Sequence, residues 1–383
     1  MQIILTLVGC AILFYWIHFF WVAHQFDSML KKFSTYEKFN GSWPKVSIVV
    51  PARNEGRNIE ASLHALQRQT YENLEVILVN DRSNDQTGTI MDAYARNSED
   101  WHYIQIQTLP DGWLGKNNAL HQGALAASGE YIVFTDGDIF FSPNAVEKTM
   151  QVVLTHHLDH LVLSATLKGK GFLLHAMQSF FALGMINILK LHKLGKSPRY
   201  YIGAGVYNLV KTSLYRSFGG HEPIRLEVID DLMLGKIMVQ HGAKPGFMDG
   251  RELVAVEWYP TWKEMIVGLE KNSFAALRYS IPRLLFLLLG MYGVYLLPYV
   301  GVFLSHGAPP LLFASSLMIS HLVFAVVCKR MGHSILASLL LPVAVIVVGF
   351  AFLRSAFLIT IRGKIIWRET SYPLKLLRQV TKL

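Results

Sequence analysis

An uncharged run opens the chain: Met1 to Ala23 contains no Asp, Glu, Lys or Arg. At 1.5 Å per residue a helix of that length reaches about 30 Å, the thickness of a bilayer's hydrocarbon core. The run lacks a basic start and a small-residue cleavage site. Trp16, Phe19, Phe20 and Trp21 form an interfacial aromatic belt, so residues 1–24 read as a retained membrane anchor. Lys31, Lys32 and Lys38 follow and place the next segment in the cytoplasm. Further uncharged runs come late, at Leu284 to Leu304, Pro309 to Cys328 and Met331 to Leu353. The pattern predicts a multi-pass protein of the cell membrane, with an anchor over 1–24 and a cytoplasmic domain over 40–280. A membrane region of about three hydrophobic segments over 281–361 and a basic tail over 362–383 complete it. Four simple spans would leave that tail outside with the N-terminus, yet Arg362, Lys364, Arg368, Lys375, Arg378 and Lys382 belong on the cytoplasmic side. A late segment that is re-entrant or interfacial, the Pro342-containing one as first choice, would remove the conflict.

Between the apolar ends, short β-branched runs alternate with helical spacing. Val46 to Val50 reads as a buried strand stopped by Pro51. Asn58 to Gln69 reads as a helix with Ile59, Leu63 and Leu66 on one face and Asn58 as N-cap. Leu74 to Val79, Tyr103 to Thr108 and Tyr131 to Thr135 read as further strands, with helices at Thr87 to Asn97 and Asn117 to Ala127. This alternation predicts an α/β domain with a mostly parallel sheet and right-handed crossovers. Ligands bind such sheets beyond the carboxyl ends of the strands. Three of those ends carry polar clusters, Arg53-Asn54-Glu55, Asn80-Asp81 and Asp136-Gly137-Asp138, and their convergence predicts a nucleotide site.

Composition narrows the class. Of 383 residues, 52% are hydrophobic and 16% charged, against about 25% charged in an ordinary soluble domain. That excludes a disordered chain and argues against a wholly soluble one. A net charge of +9 would suit a phosphate-binding face in a nucleic-acid binder. In a chain this apolar it fits juxtamembrane lysines and arginines facing anionic lipid, and no nucleic-acid partner is expected. Cys10 and Cys328 both lie in apolar runs, which excludes a disulfide framework and a cysteine-rich zinc site.

Asp136-Gly137-Asp138 sets two carboxylates on one face of an extended segment, with a glycine that admits close approach; the alternative is a plain turn. Two hard oxygen ligands suit Mg²⁺ or Mn²⁺ that shares its shell with phosphate and water. Asp81 can accept from the imide N–H of a uracil or from a ribose hydroxyl, while Ser83 and Asp85 cap the next helix. Lys116 opens a helix whose N-terminal amides already favour anions, and it would neutralise a diphosphate as a point charge. Gly203, Gly205, Gly220 and His221 mark tight backbone around a ligand, an acceptor pocket, or else simple turns. At Asp230-Asp231 adjacent acids begin a helix, one as its N-cap, the other pointing into the cleft as a base. His156, His157 and His160 look like a metal triplet but read as a solvated helix face. Trp258, Tyr259, Trp262, Phe274 and Tyr279 read as an aromatic shelf at the membrane interface.

The ordered set Pro51-Ala52-Arg53-Asn54-Glu55, Asn80 to Thr87, Gly112-Trp-Leu-Gly-Lys116, Asp136-Gly137-Asp138, Gly219-Gly220 and Asp230-Asp231 resembles a family 2 glycosyltransferase of the GT-A fold. It is most similar to the membrane-bound enzymes that glycosylate ceramide, hopanoid-associated lipids and carotenoids. The resemblance spans about Ser47 to Asn272. It implies that 40–280 is a catalytic domain in which Pro51, Ala52, Glu55 and Asp81 hold the nucleoside of a nucleotide sugar, usually a UDP-sugar. Lys116, Asp136 and Gly137 would then face the diphosphate, and Asp136 and Asp138 would lie nearest to a divalent metal, Mg²⁺ or Mn²⁺. The family's Glu-Asp pair stands here as Asp230-Asp231, which implies Asp231 as the catalytic base and Asp230 as its support, with the alternative one residue away. Gln-x-x-Arg-Trp of cellulose, chitin and hyaluronan synthases is absent; Gly268-Leu-Glu-Lys-Asn-Ser-Phe-Ala275 stands in its place and argues against a long-chain synthase. The expected activity is inverting transfer of one sugar from a UDP-sugar to a membrane lipid hydroxyl. Its rivals are a short-polymer synthase and, from another class, a transporter with a nucleotide-binding regulatory domain. Against transport, no Asp, Glu, Lys or Arg lies between Leu284 and Cys328.

Overall fold

The computed structural model describes residues 2–32 and 41–380. Lys38 and Lys382, counted above among the basic flanks, lie outside the described residues. The strands are β1 (Val46–Ala52), β2 (Leu74–Asp81), β3 (Trp101–Ile106), β4 (Tyr131–Phe134), β5 (Ile139–Phe141), β6 (His160–Leu163), β7 (Thr166–Leu167), β8 (Asn208–Lys211), β9 (Pro245–Met248), β10 (Val254–Val256), β11 (Lys364–Trp367) and β12 (Thr370–Pro373). The helices are α1 (Gln2–Lys32), α2 (Ile59–Gln67), α3 (Thr87–Arg96), α4 (Gly115–Ala126), α5 (Ala145–His156), α6 (Phe172–Leu189), α7 (Thr212–Ser217), α8 (Asp230–Gln240), α9 (Trp262–Ala276), α10 (Ile281–Tyr295), α11 (Leu297–Leu304), α12 (Pro309–Arg330), α13 (Leu341–Arg362) and α14 (Leu374–Val380).

Two compact units divide the chain. Leu30–Thr166, Lys193–Glu257 and Lys364–Leu383 form one; Met1–Met29, Leu167–His192 and Trp258–Gly363 form the other. Sequence pattern alone predicts one unbroken domain over 40–280 and a separate tail from 362. The difference arises because α6 is apolar enough to join the membrane-type helices, and because β11 and β12 pair into a hairpin that clusters with the sheet.

Among the described residues the main sheet has seven strands in the order β3-β2-β1-β4-β8-β6-β9. It is parallel except for β8, which runs antiparallel to β4 and β6. β1, β2 and β4 are buried on both faces, which is why they read as continuous apolar runs. β1 continues through Pro51, where its pairing with β4 has already ended at Val49. β3 starts two residues earlier than expected, at Trp101 opposite Val76. Asn58 stands at the N-cap of α2 without a side-chain capping bond; at α3 the N-cap is Gln86, also without one, and Asp85 just before it accepts from the Thr87 N–H at 3.0 Å.

In the apolar unit, four helices among the described residues are long and apolar enough to cross a membrane, at Gln2–Lys31, Phe172–Lys193, Pro309–Arg330 and Ile335–Arg362. Leu284 to Leu304 is not one helix: α10 ends at Tyr295 and α11 starts at Leu297, with Pro298 in its first turn. α9 and α10 meet at 115°, across Arg278 and Tyr279, which both adopt positive φ. α1 and α12 run parallel, since Gly9 lies against Leu312 and Phe313 while Asp27 pairs with Arg330. Half of the expected aromatic belt is core: Trp16 and Phe19 are buried, Trp16 edge-on to Tyr295 at 5.2 Å, while Phe20 and Trp21 stay exposed. Of the expected shelf, Phe274 and Tyr279 are buried against each other at 5.8 Å, and Trp258, Tyr259 and Trp262 are half-buried.

Candidate active site

The site forms where β4 ends. The Asp136 N–H donates to the Gly205 carbonyl at 2.9 Å, and the Thr135 hydroxyl donates to the Val206 carbonyl at 2.9 Å, so the loop before β8 is stitched to this strand end. Asp136 to Asp138 form a turn into β5 rather than the expected extended segment. Gly137 is buried inside it; a Cβ there would stand 3.3 Å from Ala52 Cβ and 3.4 Å from the Pro51 carbonyl oxygen. Pro51 and Ala52 thus back the turn.

Lys116, in the first turn of α4, places Nζ 2.7 Å from Asp136 Oδ1 and 3.6 Å from Asp230 Oδ2. Lys116, Asp136, Gly205, Asn208, His221, Asp230 and Asp231 line one cavity. Burial would lower the lysine's pKa, but Asp136, Asp230 and Asp231 raise it well above the ordinary value, so it is a permanent cation. Asp231 is held by backbone: Oδ2 accepts the Gly205 N–H at 2.9 Å and Oδ1 the Leu232 N–H at 2.7 Å. Burial pushes its carboxyl above the usual range against the pull of Lys116. Gly203 permits this packing, since a Cβ there would lie 1.8 Å from the Asp231 carbonyl oxygen.

His221 is buried, with Nδ1 2.6 Å from Tyr215 Oη; burial takes its pKa down to about 3, so the ring is neutral. Gly220 lies outside the cavity lining, in the turn that delivers His221, at φ 66° with its α-carbon against the Tyr215 ring.

Glu55, Asp81 and Asp138 do not line that cavity. Asp81 is buried and bound by the Arg82 guanidinium at 2.7 and 3.0 Å, its carboxylate packed against Gly115. Glu55 pairs with Arg368, and burial raises its pKa. Asp138 is pushed up to about 7 by burial, by Asp136 and by Glu55. The loops after β1 and β2 are laced together: the Asn54 N–H donates to Ser83 Oγ at 3.1 Å and the Glu55 N–H to Thr87 Oγ1 at 2.8 Å.

Sequence pattern misses Asn208 and His160. The Asn208 amide donates to the Asp231 carbonyl at 3.2 Å, and its oxygen lies 2.7 Å from His160 Nε2. His160 is therefore a fully buried strand residue, not part of a solvated face, while His156 and His157 stay at least partly exposed. One polar pair between neighbouring strands leaves no local signal. Among the described residues no three His, Cys, Asp or Glu gather into a ready metal site. Asp136 and Asp138 supply two carboxylates, which fits an ion that completes its shell with phosphate and water.

Residues 47–214 match the family model described as Glycosyl transferase family 2. The uncharacterized glycosyltransferase EpsJ of Bacillus subtilis is 34% identical over 116 residues, 30% of this chain and 32% of its own length. The 4,4'-diaponeurosporenoate glycosyltransferase of Staphylococcus aureus is 25% identical over 227 residues, 56% of each. The chain spans about a third to just over half the length of such curated relatives. Among solved structures, a mannosyltransferase from Pyrobaculum calidifontis in complex with GDP-Man and Mn²⁺ is similar with a TM-score of 0.53 at 16% identity, covering 93% of this chain and 99% of that one. That likeness is one of fold, and with the family match it makes residues 47–214 a family 2 glycosyltransferase domain on the GT-A fold.

Proposed function

We propose that the protein is an inverting glycosyltransferase that moves a single sugar from a nucleotide sugar, a UDP-sugar, to a hydroxyl of a membrane lipid. The convergence of Lys116, Asp136, Asp230 and Asp231 on one cavity at the carboxyl end of the sheet carries this reading. The acceptor hydroxyl attacks the anomeric carbon and the diphosphate leaves with the bonding electron pair, so no covalent enzyme intermediate is needed. Lys116, kept charged by its carboxylate neighbours, stabilises the charge that grows on the diphosphate. Asp231, oriented by two backbone N–H groups, takes the acceptor's proton, worth typically 10²- to 10⁴-fold in rate. Asp136 and Asp138 would hold Mg²⁺ or Mn²⁺, which when bound supplies Lewis-acid stabilisation of the leaving group. The Staphylococcus aureus relative is named as a 4,4'-diaponeurosporenoate glycosyltransferase, which supports an apolar acceptor.

Connectivity supports a cytoplasmic catalytic unit. β4 and β8 pair in one sheet, so the chain between them returns to the side it left, and α6 enters the bilayer without crossing. Residues 258–363 leave and rejoin the same unit, so they cross an even number of times. The parallel α1 and α12 both run inward, with Asp27 and Arg330 at the cytoplasmic end. The broken α10–α11 pair, about 36 Å long if extended, then runs outward, and α13, one unbroken helix with Pro342 in its first turn, begins and ends on the cytoplasmic side without crossing.

The test uses the purified full chain, radiolabelled nucleotide sugars and a membrane-lipid extract. One labelled glycolipid is expected, lost in Asp231→Asn with UDP-sugar binding kept. A ladder of products would favour a polymer synthase, and no transfer from any nucleotide sugar would overturn the proposal. An impermeant maleimide should label a cysteine at 307 but not one at 334 in intact cells; the reverse pattern would invert the topology.

A further inference from the structure

The hairpin of β11 and β12 touches three of the four loops assigned to the donor, those at Glu55, Asp81 and Lys116. The Arg368 guanidinium pairs with the Glu55 carboxylate and donates to the Asn54 carbonyl at 3.4 Å. Arg53 donates to Thr370 Oγ1 at 2.9 Å. On the other edge, Tyr372 Oη accepts the Gly115 N–H at 3.0 Å in a buried setting and also meets the Arg82 guanidinium. Ten residues from the end of the chain therefore join the end of β1, the end of β2 and the start of α4.

The hairpin's tip is strained where it acts. Arg368 and Glu369 form a two-residue turn between the paired Trp367 and Thr370, at φ 47° and 66°. Such turns favour Asn-Gly, and neither residue here is of that kind. Strain of this sort persists only where surrounding contacts impose it, and the contact at this tip is the Arg368–Glu55 pair. Ile365 and Tyr372, buried on the opposite face, anchor the hairpin.

We propose that Lys364–Pro373 forms a wall of the donor site and that Arg368 is a positioning residue, acting through Glu55 to hold that carboxylate toward the nucleoside of the bound nucleotide sugar. This rests on the donor assignment above. Arg368 orients an acceptor group that the nucleoside must find in place, and Tyr372 occupies the Gly115 N–H, which leaves Lys116 as the anion's partner in that turn.

The experiment measures UDP binding by calorimetry, together with kcat and KM for the nucleotide sugar, on the full chain. Arg368→Ala should weaken UDP binding and raise KM about tenfold, the scale of one charged hydrogen bond, while kcat changes less than threefold. Arg368→Lys should recover most of the loss, and Glu55→Gln combined with Arg368→Ala should be no worse than the poorer single variant. A hairpin with only a structural role would instead lower the melting temperature and the active fraction, leaving KM unchanged. Arg368→Ala with wild-type UDP affinity and KM overturns the proposal. A wild-type protein that binds neither UDP nor another nucleotide overturns the donor assignment itself, and this proposal with it.

Discussion

Replacing Gly205 by alanine adds one methyl group at the most crowded point of the cavity. Its Cβ would stand 2.5 Å from Asp136 Oδ2 and 3.3 Å from Lys116 Nζ. Ordinary contact requires that carboxylate oxygen to retreat by roughly 1 Å. Asp136 and Lys116 are paired at 2.7 Å, so the retreat reshapes the pair proposed to face the diphosphate. A misplacement of this size costs on the order of 10²-fold in rate, about 3 kcal/mol of transition-state stabilisation. The fold should barely notice, because the displaced atom ends a side chain and Gly205 is not at positive φ. Gly203→Ala makes the control: its Cβ would meet the Asp231 carbonyl oxygen at 1.8 Å and Leu232 Cα at 2.8 Å, both backbone, so the start of α8 must shift and the protein should lose several kcal/mol of stability. Turnover, UDP affinity and melting temperature, measured on both variants, separate the cases. Gly205→Ala with turnover within threefold of wild type would refute a chemical role for the Asp136–Lys116 pair.

Other consequences follow from the same geometry. Asp231 must be ionised to accept a proton, and burial raises its pKa, so turnover should fall toward acid along a limb above the ordinary carboxylate range; a pH–rate profile with its limb near 4 would exclude Asp231 as the base. Chelation should silence transfer and Mn²⁺ or Mg²⁺ restore it, while full activity in excess EDTA would remove the metal. Burial would raise the pKa of Glu75, but Ser47, Ser128 and Lys45 outweigh it and bring it from 4.5 down to about 2. The folded value is depressed, so this group's stabilisation is present above pH 4.5 and lost as pH falls toward 2. It is worth about 3 kcal/mol, which Glu75→Gln should forfeit at pH 7 along with that part of the acid sensitivity in denaturant melts. Glu369→Gly relieves a positive φ and should stabilise the hairpin by about 0.5–1 kcal/mol; a loss of stability would show that the turn is unstrained.

How much of the site the chain's pattern discloses depends on the reach of each interaction. Strand ends are legible because strands buried on both faces are short apolar runs, and the polar residues that stop them, Glu55, Asp81 and Asp136, stand where ligands bind. Side-chain partners are not legible. Nothing near Lys116 announces Asp230, and nothing near Asp231 announces Gly205 or Asn208, because those contacts exist only after the sheet has assembled. Asp81 shows the opposite failure: the adjacent Arg82 binds its carboxylate on both oxygens, a local contact hidden by reading the loop as a row of acceptors. The tail was legible as charge and missed as structure. Ile365 and Tyr372 pair across the hairpin and bury, but the six cations spread along the tail make it look like a solvated end.

Membrane topology marks the limit of local reading most sharply. Hydropathy scores each segment alone, and by that measure α6 and α13 resemble α1 and α12. Whether a segment crosses is settled by where its two ends must be. β4 and β8, on either side of α6, share a sheet ladder, and no ladder can pair across a bilayer. α13 is followed at once by a hairpin bound to Glu55 and Gly115, while its preceding loop follows Arg330, which pairs with Asp27 at the end of α1. Both segments would then begin and end on the same side, as the proposed topology has them. On the proposed topology the crossing segments are α1, the α10–α11 pair and α12, an odd number that would leave the N-terminus outside and bring Arg362, Lys364, Arg368, Lys375 and Arg378 to the cytoplasmic face, where the positive-inside rule wants them. The proposed topology would thus remove the clash between charge and span count without weakening either rule, by dropping the premise that every long apolar helix spans.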